Sequence, residues 1–367
     1  MNQKLRVGVI GAGVIGQVMH LHFLRELHDR YEIAGLCDLS MVTATSCAAD
    51  YGVARVFTDW HELLEEPLDA VLVLTSGSHA PIAVEAARAG LHVFVEKPMC
   101  FSALEAAEMV AAATQAGVVL MVGYPKRYDP AFARFVEEVG TLSDRRLLRV
   151  TTTESSFLPY IRHYPLTAPS HDVDPKLLAT LSKDAEDRLR AAIGTDDAFL
   201  LRQYHAVLLD TLVHEINTVR GVLGEPASLD FVDLREGHAT VLLGFDGPTA
   251  AIHWLDTPGM TRYSMEFSMH AADGRVTLTF PSPYLRNAPT SLAVERGDAD
   301  DVASWRRVED ISYESGFKEE LRVFHDAVTS GGPVVTDGVD AMKDIALCQA
   351  IIRCAIERAP IKNPTQV

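Results

Sequence analysis

Short apolar runs alternate with amphipathic stretches through the first third of the chain. Leu5 to Ile10 (Leu-Arg-Val-Gly-Val-Ile) precedes a stretch that reads as a helix, and a second apolar run leads from Ile33 to Asp38. The rhythm continues with a helix near 40–51, a strand near 69–75, a helix near 79–89, a strand near 91–95, and a helix–strand pair at about 102–116 and 118–122. This order predicts a parallel sheet with helices on both faces, joined by right-handed crossovers.

Past Gly123 the pattern changes. From about 228 to 295 several strands follow one another with little helix between them. Tyr263, Met265, Phe267 and Met269 alternate with Ser264, Glu266 and Ser268; Val276, Leu278 and Phe280 alternate with Thr277 and Thr279. Such alternation predicts antiparallel strands with one buried face, here joined by a hairpin at Ala272-Asp-Gly274. Helices are expected near 205–223, 317–330 and 338–358.

Residues 155–204 follow neither grammar. They carry prolines at 159, 165, 169 and 175, then Asp174-Pro175, a good helix cap and first helical residue. Leu177, Leu178, Leu181, Ala185, Leu189 and Ala192 recur at helical spacing up to Gly194, a suitable stop. This stretch is expected to lie beside a substrate pocket as a lid or arm. The alternative is a surface helix packing Leu177, Leu181 and Leu189 on the second domain.

With 367 residues, 48% of them apolar and 23% charged, the chain is long enough for two folded domains. The division predicted is 1–123 and 124–367, the latter with an insertion at about 155–204. A formal charge of −17 argues against a nucleic-acid partner. No apolar run approaches the ~18 residues of a membrane span. Five scattered cysteines without a C-x-x-C pair suit a reducing cytoplasm rather than a disulfide framework or a zinc site. His20-x-His22 has no cysteine or carboxylate cluster in step with it, so no metal is expected.

The chemistry begins at Gly11-Ala-Gly13-Val14-Ile15-Gly16, between the first strand and the first helix. In that setting the glycines make a tight turn and allow a pyrophosphate close to backbone N–H groups at a helix N-terminus. Asp38 ends the second strand 22 positions after Gly16, where a carboxylate accepts from an adenosine ribose. A Rossmann dinucleotide-binding domain is therefore predicted at the N-terminus, followed by an α+β domain with a mostly antiparallel open sheet. Nucleotide binds at the carboxyl ends of such strands, which selects Thr75, Ser76, Glu96 and Lys97 as rim residues, with His79 in the same loop region as Thr75. Asp38 would oppose the 2′-phosphate of NADP, and Leu39-Ser40 supply no cation, so NAD is expected over NADP.

Two further pieces are Glu96-Lys97-Pro98, directly after the strand at 91–95, and Asp210-x-x-x-His214, whose spacing of four puts both side chains on one helical face. With Gly123-Tyr-Pro-Lys-Arg127-Tyr-Asp-Pro130, these motifs come in the order of the glucose-fructose oxidoreductase and inositol dehydrogenase family (Gfo/Idh/MocA), which the chain resembles over most of its length. The resemblance implies NAD or NADP in the first domain, a sugar, cyclitol or related polyol between the domains, and Lys97, Asp210 and His214 as the active-site set. It also implies a homodimer or homotetramer. Pro125 and Lys126 stand where the family commonly has an Asn-Arg or Arg-Arg pair, and Arg202-Gln-Tyr-His-Ala-Val207 replaces a glycine-rich stretch.

On this reading His214 takes the proton of a secondary alcohol, Lys97 holds the same oxygen, and Asp210 orients His214 or holds a neighbouring hydroxyl. Tyr124, Arg127, Tyr160, Arg162 and His163 are weaker substrate-contact candidates. Two alternatives share the same cofactor fold: glycoside cleavage through a transient ketone, and a non-enzymatic dinucleotide sensor. Intact Lys97 and His214 weigh against the sensor.

Overall fold

The computed structural model describes residues 4–357 apart from 169, 298–299 and 301–302, so Pro169 and the last residue of the helix expected at 338–358 lie outside the described residues. Six parallel strands form the first sheet: β1 (Leu5–Ile10), β2 (Tyr31–Cys37), β3 (Val56–Phe57), β4 (Ala70–Val73), β5 (His92–Glu96) and β6 (Leu120–Gly123). Their order is β3-β2-β1-β4-β5-β6, a doubly wound sheet whose direction of winding reverses beside β1. A ligand crevice is expected at that reversal, beyond the carboxyl ends of the strands. The short β3 and the helix Trp60–Leu64 that follows it have no counterpart in the sequence reading. Two residues are too few to show periodicity.

The sheet is buried on both faces because its strands are apolar on both. Val71 and Val73 pack with Ala83 and Ala106 on one side, while Leu72 and Phe94 pack with Met19 and Leu24 on the other. Each fully buried leucine- or phenylalanine-sized side chain contributes ~1.5–3 kcal/mol. Helix boundaries follow local chemistry. Ser40 and Ser102 cap Met41–Tyr51 and Ala103–Ala116 through Thr43 and Glu105 N–H, and Gly52 and Gly117 end those helices in the left-handed region.

The second sheet has eight strands: β7 (Arg145–Glu154), β8 (Ser228–Arg235), β9 (His238–Gly244), β10 (Thr249–Asp256), β11 (Ser264–Ala271), β12 (Gly274–Phe280), β13 (Ser291–Gly297) and β14 (Ser304–Asp310). Their order is β14-β13-β12-β11-β7-β10-β9-β8, antiparallel except where β10 runs parallel to β7. Met265, Phe267 and Met269 on β11 face the core with Val276, Leu278 and Phe280 on β12. Helix Pro130–Gly140 and the helical stretch 203–223 supply Phe135, Leu212 and Ile216 to the same core.

The chain ends return to the first sheet. Phe317, Leu321 and Phe324 of helix Gly316–Ser330 join the cluster around Phe94 and Met121, and Val122 N–H donates to Thr336 O at 2.9 Å. Helix Gly338–Glu357 packs beside Ala103–Ala116.

The insertion divides into two parts. Residues 155–174 cross to the helices of the first domain, where Thr167 N–H donates to Gln17 Oε1 at 2.8 Å; Gln17 Nε2 in turn donates to Ala12 O in the glycine turn at 2.7 Å. Helix Pro175–Ile193 then buries Leu189 and Ile193, and Arg188 pairs with Glu105 at 3.0 Å. Leu177 and Leu181 are exposed, unlike in the alternative that packs both on the second domain, because only the C-terminal half of the helix reaches neighbouring helices. No helix among the described residues is long and apolar enough to cross a membrane.

Candidate active site

A cleft of about 670 Å³ opens at the carboxyl edge of the first sheet, where the second domain faces it. One end is the glycine turn. Gly11 has φ +99°, and a Cβ there would lie 2.8 Å from the backbone of Leu74 and Thr75. A Cβ on Gly13 would meet nothing within 4 Å, so this glycine leaves room in the cleft itself. Gly16 sits behind the turn, where a Cβ would approach Gly11 O to 3.1 Å. Val14, Ile15, Thr75, Ser76 and Glu96 also line the cleft.

Asp38 stands at the cleft's edge with Oδ2 accepting from Ala12 N–H and Oδ1 from Ser40 N–H, both at 2.9 Å. Each oxygen keeps a lone pair for a ribose hydroxyl. Open space over Gly13, a helix N-terminus and a strand-end carboxylate together fit a dinucleotide. His79 does not line the cleft. It is buried, with its ring nitrogens 2.7 Å from Thr75 O and 2.8 Å from Pro98 O, so it ties two rim loops together from behind.

At the other end Lys97, Asp210 and His214 share the cleft wall. Lys97 Nζ donates to Asp210 Oδ1 at 2.8 Å and to Asp210 O at 2.6 Å. Asp210 therefore grips Lys97 rather than orienting His214 as the spacing suggested. Residues 203–212 are wound as a π-helix before α-helix resumes at Val213–Leu223, and both side chains still reach the cleft, but the Asp210 carboxylate is engaged by Lys97. His214 Nδ1 is buried and has no hydrogen-bond partner among the described residues. Burial first, then the Lys126 and Lys97 charges, hold its pKa well below the usual 6.5.

The resemblance marks Lys126 only as a departure from the family pattern, yet it lines the same cleft and is 7% exposed. Burial lowers its pKa to about 8 against the smaller opposing pull of Glu215. Glu215 is itself buried and pushed up to about 7, its Oε1 accepting from Thr152 Oγ1 at 2.5 Å. Nothing in the periodicity signals a lysine turned inward. The nearest hint is Pro125, which starts the short turn that points Lys126 inward.

Beneath the Lys97 loop, His20 Nε2 meets Glu96 Oε1 at 2.6 Å, and the ligand atoms of His20, Glu96 and Glu320 lie within 4.8 Å of one another. No carboxylate is in step with His20 along the chain because both come from distant segments. The group is a poor metal centre. His20 is committed to Glu96, and burial followed by the Glu96 charge raises the Glu320 carboxyl well above the ordinary range, which disfavours the anionic form a metal would need.

The remaining substrate-contact candidates lie off the cleft. Tyr124 is buried with an unpartnered hydroxyl, Arg127 donates to Asn217 Oδ1 at 3.2 Å, and Tyr160 Oη donates to Thr261 O at 2.8 Å. Arg162 and His163 are exposed on the crossing segment. None of the described residues 155–204 lines the cleft, because the segment turns toward the strand-end Asp38 side instead. His205, Ala206, Pro283 and Tyr284 line it instead.

Residues 5–124 match the model of the oxidoreductase family with an NAD-binding Rossmann fold, GFO_IDH_MocA. The chain is 26% identical to myo-inositol 2-dehydrogenase of Thermotoga maritima over 98% of both proteins. Among solved structures, an aldose-aldose oxidoreductase from Caulobacter crescentus complexed with glycerol superposes with a TM-score of 0.71 at 21% identity, covering 98% of this chain and 100% of that one. A 3-ketoreductase from Actinomadura kijaniata in complex with NADP gives 0.71 at 21% identity, covering 95% and 96%. At such identities the two structures speak for a shared fold.

Proposed function

The chain belongs to the Gfo/Idh/MocA oxidoreductase family, and on that footing we propose that it oxidises a secondary alcohol of a cyclitol, sugar or related polyol, or reduces the corresponding ketone, with NAD in preference to NADP. The observation that carries the reading is the lysine held on Asp210 beside a neutral histidine, in the cleft that also contains the glycine turn. Gly11, Gly13, Val14, Ile15 and Asp38 would hold the dinucleotide. When bound, its nicotinamide supplies the hydride acceptor or donor.

His214, unprotonated across the neutral range, receives the hydroxyl proton of the substrate. Its depressed basicity makes the resulting imidazolium a ready acid in the reverse direction. Lys97 donates to the same oxygen and stabilises negative charge as it develops, while Asp210 fixes the ammonium. Lys126 adds a second positive charge from the floor and keeps His214 from protonating before substrate arrives.

The outer face of the eight-stranded sheet, with its Arg149–Glu266 pair at 2.6 Å, is our candidate surface for a homodimer or homotetramer. Light scattering on the purified protein tests it. Function is tested with a panel of inositols, polyols and aldoses plus NAD, following absorbance of the reduced cofactor. Reduction in step with product supports the proposal. Product without net cofactor reduction would overturn it in favour of glycoside cleavage through a transient ketone, and binding of NAD without turnover of any panel member would favour a sensor.

A further inference from the structure

We propose that Asp172, carried in from the second domain by the crossing segment, is a second determinant of dinucleotide choice that acts with Asp38 to exclude the 2′-phosphate of NADP. The inference rests on reading the cleft as a dinucleotide site. In a doubly wound sheet the adenosine ribose lies at the end of the second strand, and a 2′-phosphate reaches from it toward the helix that follows. That helix is Met41–Tyr51, and the free N–H groups of a helix N-terminus favour anions.

Here the place is taken. Asp172 Oδ2 accepts from Val42 N–H at 3.0 Å, and Oδ1 accepts from Ser40 Oγ–H at 2.7 Å. On the opposite side of the same serine, Ser40 N–H donates to Asp38 Oδ1 at 2.9 Å. Two carboxylates from different domains thus flank Ser40 and consume donors that a phosphate would need. Hydrogen bonds from Ser170 and Ser40, then Val42 N–H, hold the Asp172 carboxyl well below its ordinary range, so it is charged at any pH of interest. No lysine or arginine is among these partners.

The carboxylate is placed rather than trailing. Ser170 Oγ lies 2.6 Å from Asp172 Oδ1 and 2.5 Å from Ser40 Oγ. A few residues earlier, Thr167 is bonded to Gln17 Oε1 and to Ser46 Oγ. Arg286 stacks over the Tyr164 ring with 4.2 Å to its centre and donates to Val18 O at 2.7 Å. Three contacts to the first domain, and a fourth relayed through Arg286, therefore fix the approach of residue 172.

The test is a set of dissociation constants for NAD and NADP, by titration calorimetry, for the wild type, Asp172→Asn and Asp172→Ala. The wild type should prefer NAD. Asp172→Asn keeps size but has one acceptor oxygen in place of two, so it removes the charge together with one of the bonds from Ser40 and Val42; NADP should bind about threefold tighter with NAD within about twofold. Asp172→Ala also frees Val42 N–H and should tighten NADP by about fivefold or more. The gain from Asp172→Asn should shrink as ionic strength rises toward about 1 M. An unchanged NADP-to-NAD ratio in Asp172→Asn, with a wild type that prefers NAD and an unaltered melting curve, refutes the role of Asp172 while leaving the cofactor reading intact. A wild type that binds neither dinucleotide overturns both, and one that binds NADP as tightly as NAD overturns the role of Asp172 and the preference for NAD while leaving the dinucleotide site standing.

Discussion

Replacing Lys126 by Met should make the folded protein more stable at neutral pH and move the acid limb of its pH–rate profile upward. Lys126 is 7% exposed, with no carboxylate of the described residues within 4 Å of its ammonium. Burial lowers its pKa from 10.5 to about 8, so between those values the unfolded chain binds a proton that the folded chain releases. Stability therefore rises with pH through that window, and the full penalty is present below about 8. A difference of about 2.5 pH units corresponds to roughly 3 kcal/mol, the upper bound on what the uncharged, similarly long Met relieves at pH 7. Catalysis moves for a related reason. His214 is depressed by burial first and by Lys126 next, so loss of the lysine raises its pKa toward 6.5. Removing that neighbouring positive charge favours the imidazolium, so the shift is upward. The assay is kcat/KM against pH on a substrate from the panel, with urea denaturation of both proteins at pH 7 and pH 10. An acid limb that stays put or moves down would refute the assignment of His214 as the titrating base. A Met variant less stable than wild type at pH 7 would refute the burial penalty.

Lys97→Ala and His214→Ala should each lower kcat by about a hundredfold or more with dinucleotide affinity retained, since neither makes the glycine turn or the Asp38 contact; calorimetry beside turnover checks this. Gly13→Ala should leave the melting temperature unchanged but weaken NAD binding about tenfold, whereas Gly11→Ala should lower the melting temperature as well, because only at Gly11 do a positive φ and the Leu74 backbone oppose a side chain. Arg220→Met should destabilise by about 3–5 kcal/mol in urea, since it strands the buried Asp344 carboxylate that Arg220 Nη1 meets at 2.5 Å.

Much of the fold was legible because most strands and helices announce themselves locally: β3 and the helix after it aside, short apolar runs mark the doubly wound sheet, Asp174-Pro175 and Gly194 mark their helix ends, and the two faces of β11 and β12 show in the alternation from Tyr263 to Phe280. The glycine turn and Asp38 were legible for the same reason, as their chemistry needs a fixed spacing. What escaped depends on contacts between distant segments. Glu320 reaches His20 only because helix Gly316–Ser330 returns to the first domain, and Asp172 reaches Ser40 only because residues 155–174 cross between domains. Lys126 reads as a surface charge until the fold closes over it. Asp210 and His214 share the cleft wall, as a spacing of four implies, but the partner of Asp210 is Lys97, which comes from a distant segment that no periodicity announces.

The π-helical stretch 203–212 sits between two moorings. At one end Tyr204 Oη donates to Phe101 O at 2.6 Å, and at the other Arg220 is fastened to Asp340 and Asp344. A regular α-helix advances about 100° per residue, so its rotational setting at one end dictates the setting at the other. A π-turn absorbs a surplus residue and uncouples the two. Residues 204 and 220 can then both dock while Asp210 and His214 face the cleft between them. The same device makes this segment intolerant of a one-residue deletion: restoring even pitch would rotate one mooring or the other by about a quarter turn, and any register of relatives across 203–212 has to accommodate a residue that belongs to no ordinary turn.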